Sequence, residues 1–353
     1  MSALFHPYLC GRIAAEWLIT MDYPEVYDVK PARKAYSRIG WALCAILAAA
    51  LASQLLISLA LKTFWPDGCW LTTASTGKWL LNFVPLYAIA IPTGMLLLRN
   101  VPAAPPQPSK LSAKHFWIFL PICFFLMYCG SFAGQFLSSL LSGGDAQNAL
   151  DEFALDSNPV KILFIAILAP LFEEFVFRKQ LIDRTRIYGE KTAAFLSALT
   201  FGLFHTNLFQ FFYAFLVGWI FAYIYLRTGK LRYPAIMHAI INFMGSVVAP
   251  WILSLLDLDA MNNLDPNAPM EEIMAVYNQI LPGLMLMLLY FGVIVTLFIA
   301  GLVLVILQRK KLVWLEAEQQ LPAGKGMQTV CLNVGMAVFL LISLALTILS
   351  VLL

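Results

Sequence analysis

Hydrophobic positions along this chain do not alternate with polar ones at a helical or strand period; they gather into runs separated by short polar segments. The runs cover residues 39–61, 79–98, 116–141, 160–177, 192–205, 209–226, 233–256, 280–307 and 332–353. A membrane-crossing helix needs about 20 apolar residues, and only the fifth run is clearly short of that. The pattern predicts an all-α, polytopic membrane helix bundle of about nine spans. Pro85, Pro92, Pro121, Pro170 and Pro250 fall inside runs, where they are expected to kink helices rather than end them.

The polar segments carry a second pattern. Basic residues kept on the cytoplasmic side set the orientation of such a chain. With the N-terminus cytoplasmic, segments 1–38, 99–114, 178–191, 227–232 and 308–328 hold 20 of the 23 Lys and Arg residues, and the opposite side holds Lys62, Lys78 and Lys161. Loops 143–159 and 257–279, on that opposite side, carry nine acids and no base. The expected organisation is a cytoplasmic segment 1–38, in which 11–20 can form an interfacial helix, and an N-terminal pair of spans over 39–98. A Pro-rich linker at 99–114, a core at 115–256 and a C-terminal pair of spans with its outer loop at 257–353 complete it.

Composition changes this picture little. The chain is 61% hydrophobic and 12% charged, against roughly 25% charged for soluble domains. A net charge of +3 spread between apolar runs gives no basic stripe, so nucleic acid is not expected as a partner. Six cysteines include no C-x-x-C pair, which suggests neither a disulfide framework nor a zinc knuckle. No cleavable signal peptide is expected, since the first 38 residues lack an apolar core.

The chemistry is concentrated where the membrane pattern is broken. Glu173 and Glu174 sit side by side inside the fourth run, and an intramembrane acid needs a partner and a purpose. Arg178 is one helical turn beyond Glu174, on the same face, while Glu173 is rotated by about 100° and can work elsewhere. His205 ends the fifth run. His238 and Asn242, four apart in the seventh, face one way. Simple structural roles exist for each: a loop histidine at a helix end, and a hydrogen-bonded His–Asn pair gluing helices together. As a set they suit hydrolysis. A carboxylate beside an imidazole can take a proton from water, and an imidazole N–H with a carboxamide can form an oxyanion hole. Zinc is the minority alternative, because Glu and His are zinc ligands, but no H-E-x-x-H is present and the histidines lie on different runs.

Glu173-Glu174-x-x-x-Arg178, Phe201-x-x-x-His205 and His238-x-x-x-Asn242, in that order, resemble the motifs of the CPBP or Abi intramembrane proteases, the family of CAAX prenyl proteases and bacteriocin-processing enzymes. The stretch 218–231, followed by Pro234, resembles that family's approach to its last motif. The resemblance covers roughly residues 160–250. It implies that Glu173 and His205 activate water, that His238 and Asn242 stabilise the oxyanion, and that Glu174 and Arg178 brace the site. It also implies no covalent intermediate and no required cofactor. Lys179 departs from the glycine the family often has after the arginine.

The expected protein is therefore a membrane endopeptidase of a bacterial plasma membrane, acting on a membrane-associated peptide or protein. The competing classes are a non-catalytic scaffold or immunity factor of the same fold and an ion-coupled transporter. Counting 1.5 Å per residue from the ends of the runs leaves Glu173 and His205 about 10 Å apart in depth. The expected remedy is a fourth helix that continues through Arg186, with Arg178 buried beside its acid and Lys179 snorkelling to the interface.

Overall fold

The computed structural model describes residues 28–148, 156, 158–256, 263, 265 and 268–352. The expected helix at 11–20 and much of the two acidic loops lie outside the described residues. Among the described residues there is no strand, and nine long helical runs follow one another. These are α1 (Lys30–Phe64), α2 (Ser75–Leu98), α3 (Ala113–Ser142), α4 (162–188), α5 (Glu190–Phe204), α6 (Leu208–Thr228), α7 (Arg232–Ser254), α8 (Met270–Gln308) and α9 (Val334–Leu352).

Seven of the nine are long and apolar enough to cross a membrane. The two that are not are α4, which is too charged, and α5, which has 15 residues. The chain is an integral, multi-pass membrane protein. Helix α4 does run on past Arg178, through Tyr188. Lys179 stays half-exposed and pairs with Asp183 one turn on.

Three of the prolines share one effect, while Pro121 and Pro282 sit inside α-helix and a further π turn at Phe175–Gln180 has no proline behind it. Wide π-helical turns occupy Leu86–Ala90, Ile162–Leu168 and Met244–Val248, and Pro92, Pro170 and Pro250 each follow two residues later. A proline has no N–H and its ring clashes with the carbonyl one turn back, and a locally wider turn relieves that clash.

Helix α6 is the centre of the bundle. It packs on α3 and α5, while α3 also carries α8. Gly130 and Gly134 of α3 let the backbone of α6 come so near that a Cβ would lie 2.4 Å from Tyr213 Cα and 2.8 Å from Phe209 O. Small residues at helix crossings are the usual solution where lipid offers no hydrophobic drive to association. The first helix closes on the last. A Cβ on Gly40 of α1 would fall 2.2 Å from the backbone of Gly335 of α9.

The loops that the charge count assigns to one side gather at one end. The extended stretch after α2 is tied to the ends of α4 and α6 through Ala104 N–H to Asp183 O and Ser109 N–H to Thr228 O. Residues 315–321 dock there too, with Leu315 N–H on Glu190 Oε2 and Leu321 N–H on Tyr188 O. Arg227 pairs with Glu190 at the same end.

Candidate active site

Glu174 and Arg178 lie one turn apart on α4 and both are fully buried. The guanidinium meets the carboxylate twice, Nε to Oε2 at 2.9 Å and Nη2 to Oε1 at 3.2 Å. Its Nη1 donates to Ser197 Oγ of α5 at 3.0 Å, and that hydroxyl donates to Phe177 O at 2.8 Å. The Phe201 ring lies 4.6 Å from the guanidinium carbon. Gly218 of α6 makes room for this stack, since a Cβ there would approach Phe201 to 2.9 Å. A buried charge pair holds best when its remaining donors and lone pairs are met; here a hydroxyl, an aromatic face and a histidine meet part of them, while the Nε–Oε2 contact is an ion pair without hydrogen-bond geometry.

His238, on α7, stands between the two acids. Its Nδ1 is 3.1 Å from Glu174 Oε1 and its Nε2 is 3.6 Å from Glu173 Oε2. With a carboxylate held by arginine on one side, Nδ1 is the donor, so in the neutral ring Nε2 is a lone pair. His205 is fixed by similar logic. Its Nδ1 is 2.8 Å from Phe201 O; a carbonyl only accepts, so Nδ1 carries the hydrogen and Nε2 the lone pair. His205 closes α5, Thr206 turns the chain with φ at 48°, and Asn207 caps α6 by accepting from Phe209 N–H at 2.9 Å. The Phe201 ring sits edge-on between the two imidazoles, 5.0 Å from His205 and 5.7 Å from His238.

Asn242 has a structural partner that its spacing did not suggest. Its Nδ2 donates to Ile165 O at 3.0 Å. Ile165 lies in the π turn before Pro170, five residues upstream of it, so its carbonyl is the one that an N–H at position 170 would meet in that register. Proline has none. The carboxamide fills the gap and still has a second N–H.

Glu173, His205, His238 and Asn242 line one cavity of about 530 Å³, within the range of small-molecule and peptide sites. Glu174 and Arg178 stand behind its wall. Gln210 and Tyr213 of α6 also line it, joined by a 2.7 Å hydrogen bond from Gln210 Nε2 to the Tyr213 hydroxyl. No signal in the sequence singled these two out, nor Ser197, because each is an isolated polar residue in an apolar helix. Among the described residues, no three His, Cys, Asp or Glu side chains are grouped as ligands for a metal ion.

Residues 156–244 match the family model described as type II CAAX prenyl endopeptidase Rce1-like. The chain is similar to the membrane-embedded CAAX protease MroQ of Staphylococcus aureus, with 36% identity over 118 residues, which cover 31% of this chain and 45% of that protein. It is also similar to the putative membrane peptidase YdiL of Bacillus subtilis, with 24% identity over 178 residues, covering 47% of this chain and 69% of that protein. The chain thus spans less than half the length of the first of these relatives. No solved structure matches significantly. The matched stretch runs from just before α4 to the second turn after His238, and so contains all six motif residues.

Proposed function

We propose that the chain is a membrane-embedded endopeptidase that hydrolyses a peptide bond of a membrane-associated peptide or protein. The observation that carries this reading is the convergence of Glu173, His205, His238 and Asn242 from three helices on one cavity, with Glu174 and Arg178 locked behind them. Glu173, partly open to the cavity, holds the attacking water with His205, whose Nε2 lone pair is set by the bond to Phe201 O. Water attacks the scissile carbonyl as Glu173 takes its proton. Asn242 donates its second N–H to the oxyanion. His238 donates from Nε2 only after it has received a proton, and Glu173 is its neighbour at 3.6 Å. The proton that leaves water can thus pass to His238 and on to the departing amine as the carbon–nitrogen bond breaks. Glu174 fixes the tautomer and orientation of His238 throughout.

Metal is not required by this scheme.

The test is cleavage of a set of bilayer-anchored fluorogenic peptides by the full chain in proteoliposomes. In heavy-oxygen water, the label is expected in the new C-terminal carboxylate with no acyl-enzyme trapped by hydroxylamine. A trapped acyl-enzyme defeats the water mechanism. Stoichiometric zinc in active protein, with activity lost to a chelator and restored by the metal, defeats the metal-free one.

A further inference from the structure

Part of the cavity wall comes from helices outside the matched stretch. Leu47 and Gln54 of α1, Asn82 of α2 and Leu346 of α9 face it. Two of these residues, Gln54 and Asn82, also line a second cavity of about 420 Å³ between α1 and α2, together with Ser58, Thr72 and Lys78. The two cavities share that pair in their linings.

The groove has a polar design. Gln54 and Ser58 are one turn apart on α1, and Lys78 and Asn82 one turn apart on α2, so each helix turns a polar stripe toward the other. Gln54 Nε2 donates across the gap to Asn82 O at 3.3 Å, and Asn82 Nδ2 donates to Lys78 O at 2.9 Å. Ser58, Lys78 and Asn82 are nonetheless exposed. By helix rise, Ser58 and Gln54 lie roughly 9 and 15 Å below the end of α1 at Phe64, well inside a span. Polar groups at that depth are disfavoured against lipid unless they are buried in protein or line a water-filled space. The lipid-facing residues beside them on α1, Leu55 and Leu56, are apolar and 60% and 65% exposed. The polarity is therefore confined to the groove.

We infer that the α1–α2 groove is a solvent channel that opens at the 65–74 turn and delivers water and small polar solutes to the cavity holding Glu173, with Gln54 and Asn82 at its neck. A hydrolase inside a bilayer consumes one water per bond cut, and the cavity's other walls are built largely from apolar and aromatic side chains. Labelling needs no turnover, so the channel is tested separately from the protease reading.

Single cysteines replace Gln54, Ser58, Leu55, Leu56, Asp67 or Ser246 in the full chain, with the six native cysteines changed to alanine. Each variant is checked for monodisperse elution and reconstituted in proteoliposomes. A membrane-impermeant cationic methanethiosulfonate is then supplied to both faces. Gln54→Cys and Ser58→Cys are expected to react at least ~10-fold faster than Leu55→Cys and Leu56→Cys, because only a hydrated thiol ionises to the reactive thiolate. Asp67→Cys in the exposed turn gives the upper limit. Ser246→Cys, on the cavity's α7 wall, is expected to label too, and to slow several-fold when Gln54→Trp blocks the neck. If Gln54→Trp does not fold, Asn82→Leu serves as the block. Equal rates at Gln54→Cys and Leu55→Cys, or unchanged labelling of Ser246→Cys behind a folded block, overturns the channel.

Discussion

Among the described residues, the buried charged side chains, Lys161, Glu174, Arg178, Asp183 and Glu190, all fall on or beside α4 and α5, and the buried imidazole of His238 joins them from α7. The helices around this region are built differently. Helices α1, α8 and α9 bury small and aliphatic residues with Tyr36, Met336 and Phe339 among them, turn Leu, Ile and Val outward, and cross their neighbours at Gly40, Gly301 and Gly335. The first region is held by directed, charge-assisted bonds whose loss leaves an uncompensated charge. The second is held by close backbone approach, where loss of fit is graded and the chemistry is untouched. Substitutions in the two regions should therefore fail in different ways.

The largest expected effect is that of Glu173→Gln. It retains shape and removes the proposed base, so cleavage in a single-turnover assay should fall to background while the melting temperature stays near that of the parent. Full activity in this variant sinks the mechanism. Glu174→Gln comes next and belongs wholly to the first region. It leaves Arg178 buried without its counter-charge, which costs about 3–5 kcal/mol for a broken buried pair. Calorimetry should show a lower melting temperature, and activity should fall with it because His238 loses its anchor; an unshifted melting temperature argues against the ion pair.

Asn242→Ala tests a residue with one structural partner, Ile165 O, and one proposed partner, the oxyanion. Loss of one oxyanion donor should slow cleavage by about 10²–10³, and freeing Ile165 O should cost about 1–3 kcal/mol. Slowing without destabilisation means the carboxamide serves the oxyanion alone; destabilisation with normal turnover leaves it only a helix-pairing role. The smallest effect is expected from Gly335→Ala, where the new Cβ meets Ser37 O at 2.0 Å. Overpacking of this kind costs about 1–3 kcal/mol, and activity per folded molecule should be unchanged. A drop in turnover at constant folded fraction places α9 closer to the chemistry than its packing implies.

Much of this was legible in the sequence because the bilayer enforces it. Run lengths revealed the nine helical stretches, and the misfit of charge inside the fourth run marked α4 before any geometry was known. The i,i+4 spacing of Glu174 and Arg178 gave their ion pair directly. What was not legible depends on contacts between distant segments. Ser197 as the arginine's second partner, Gly218 as the space for Phe201, and Gln54 with Asn82 as lining shared by two cavities each require two helices to be brought together. The π turns were hidden for another reason: proline announces a disturbance, but the register of the widened turn, and hence the carbonyl that Asn242 meets, is settled by packing.

The crossing of Gly40 with Gly335 has a consequence for how the protein is made. Chains emerge from the ribosome N-terminus first, and their segments begin to fold in that order. Helix α1 enters the bilayer early, yet the face around Gly40 has no partner until α9 has been synthesised, nearly three hundred residues later. Leu346, on the same late helix, is also part of the cavity wall. A nascent chain halted anywhere before α9 therefore has its acids and histidines in sequence but no finished chamber to hold them, and maturation of the site waits for α9.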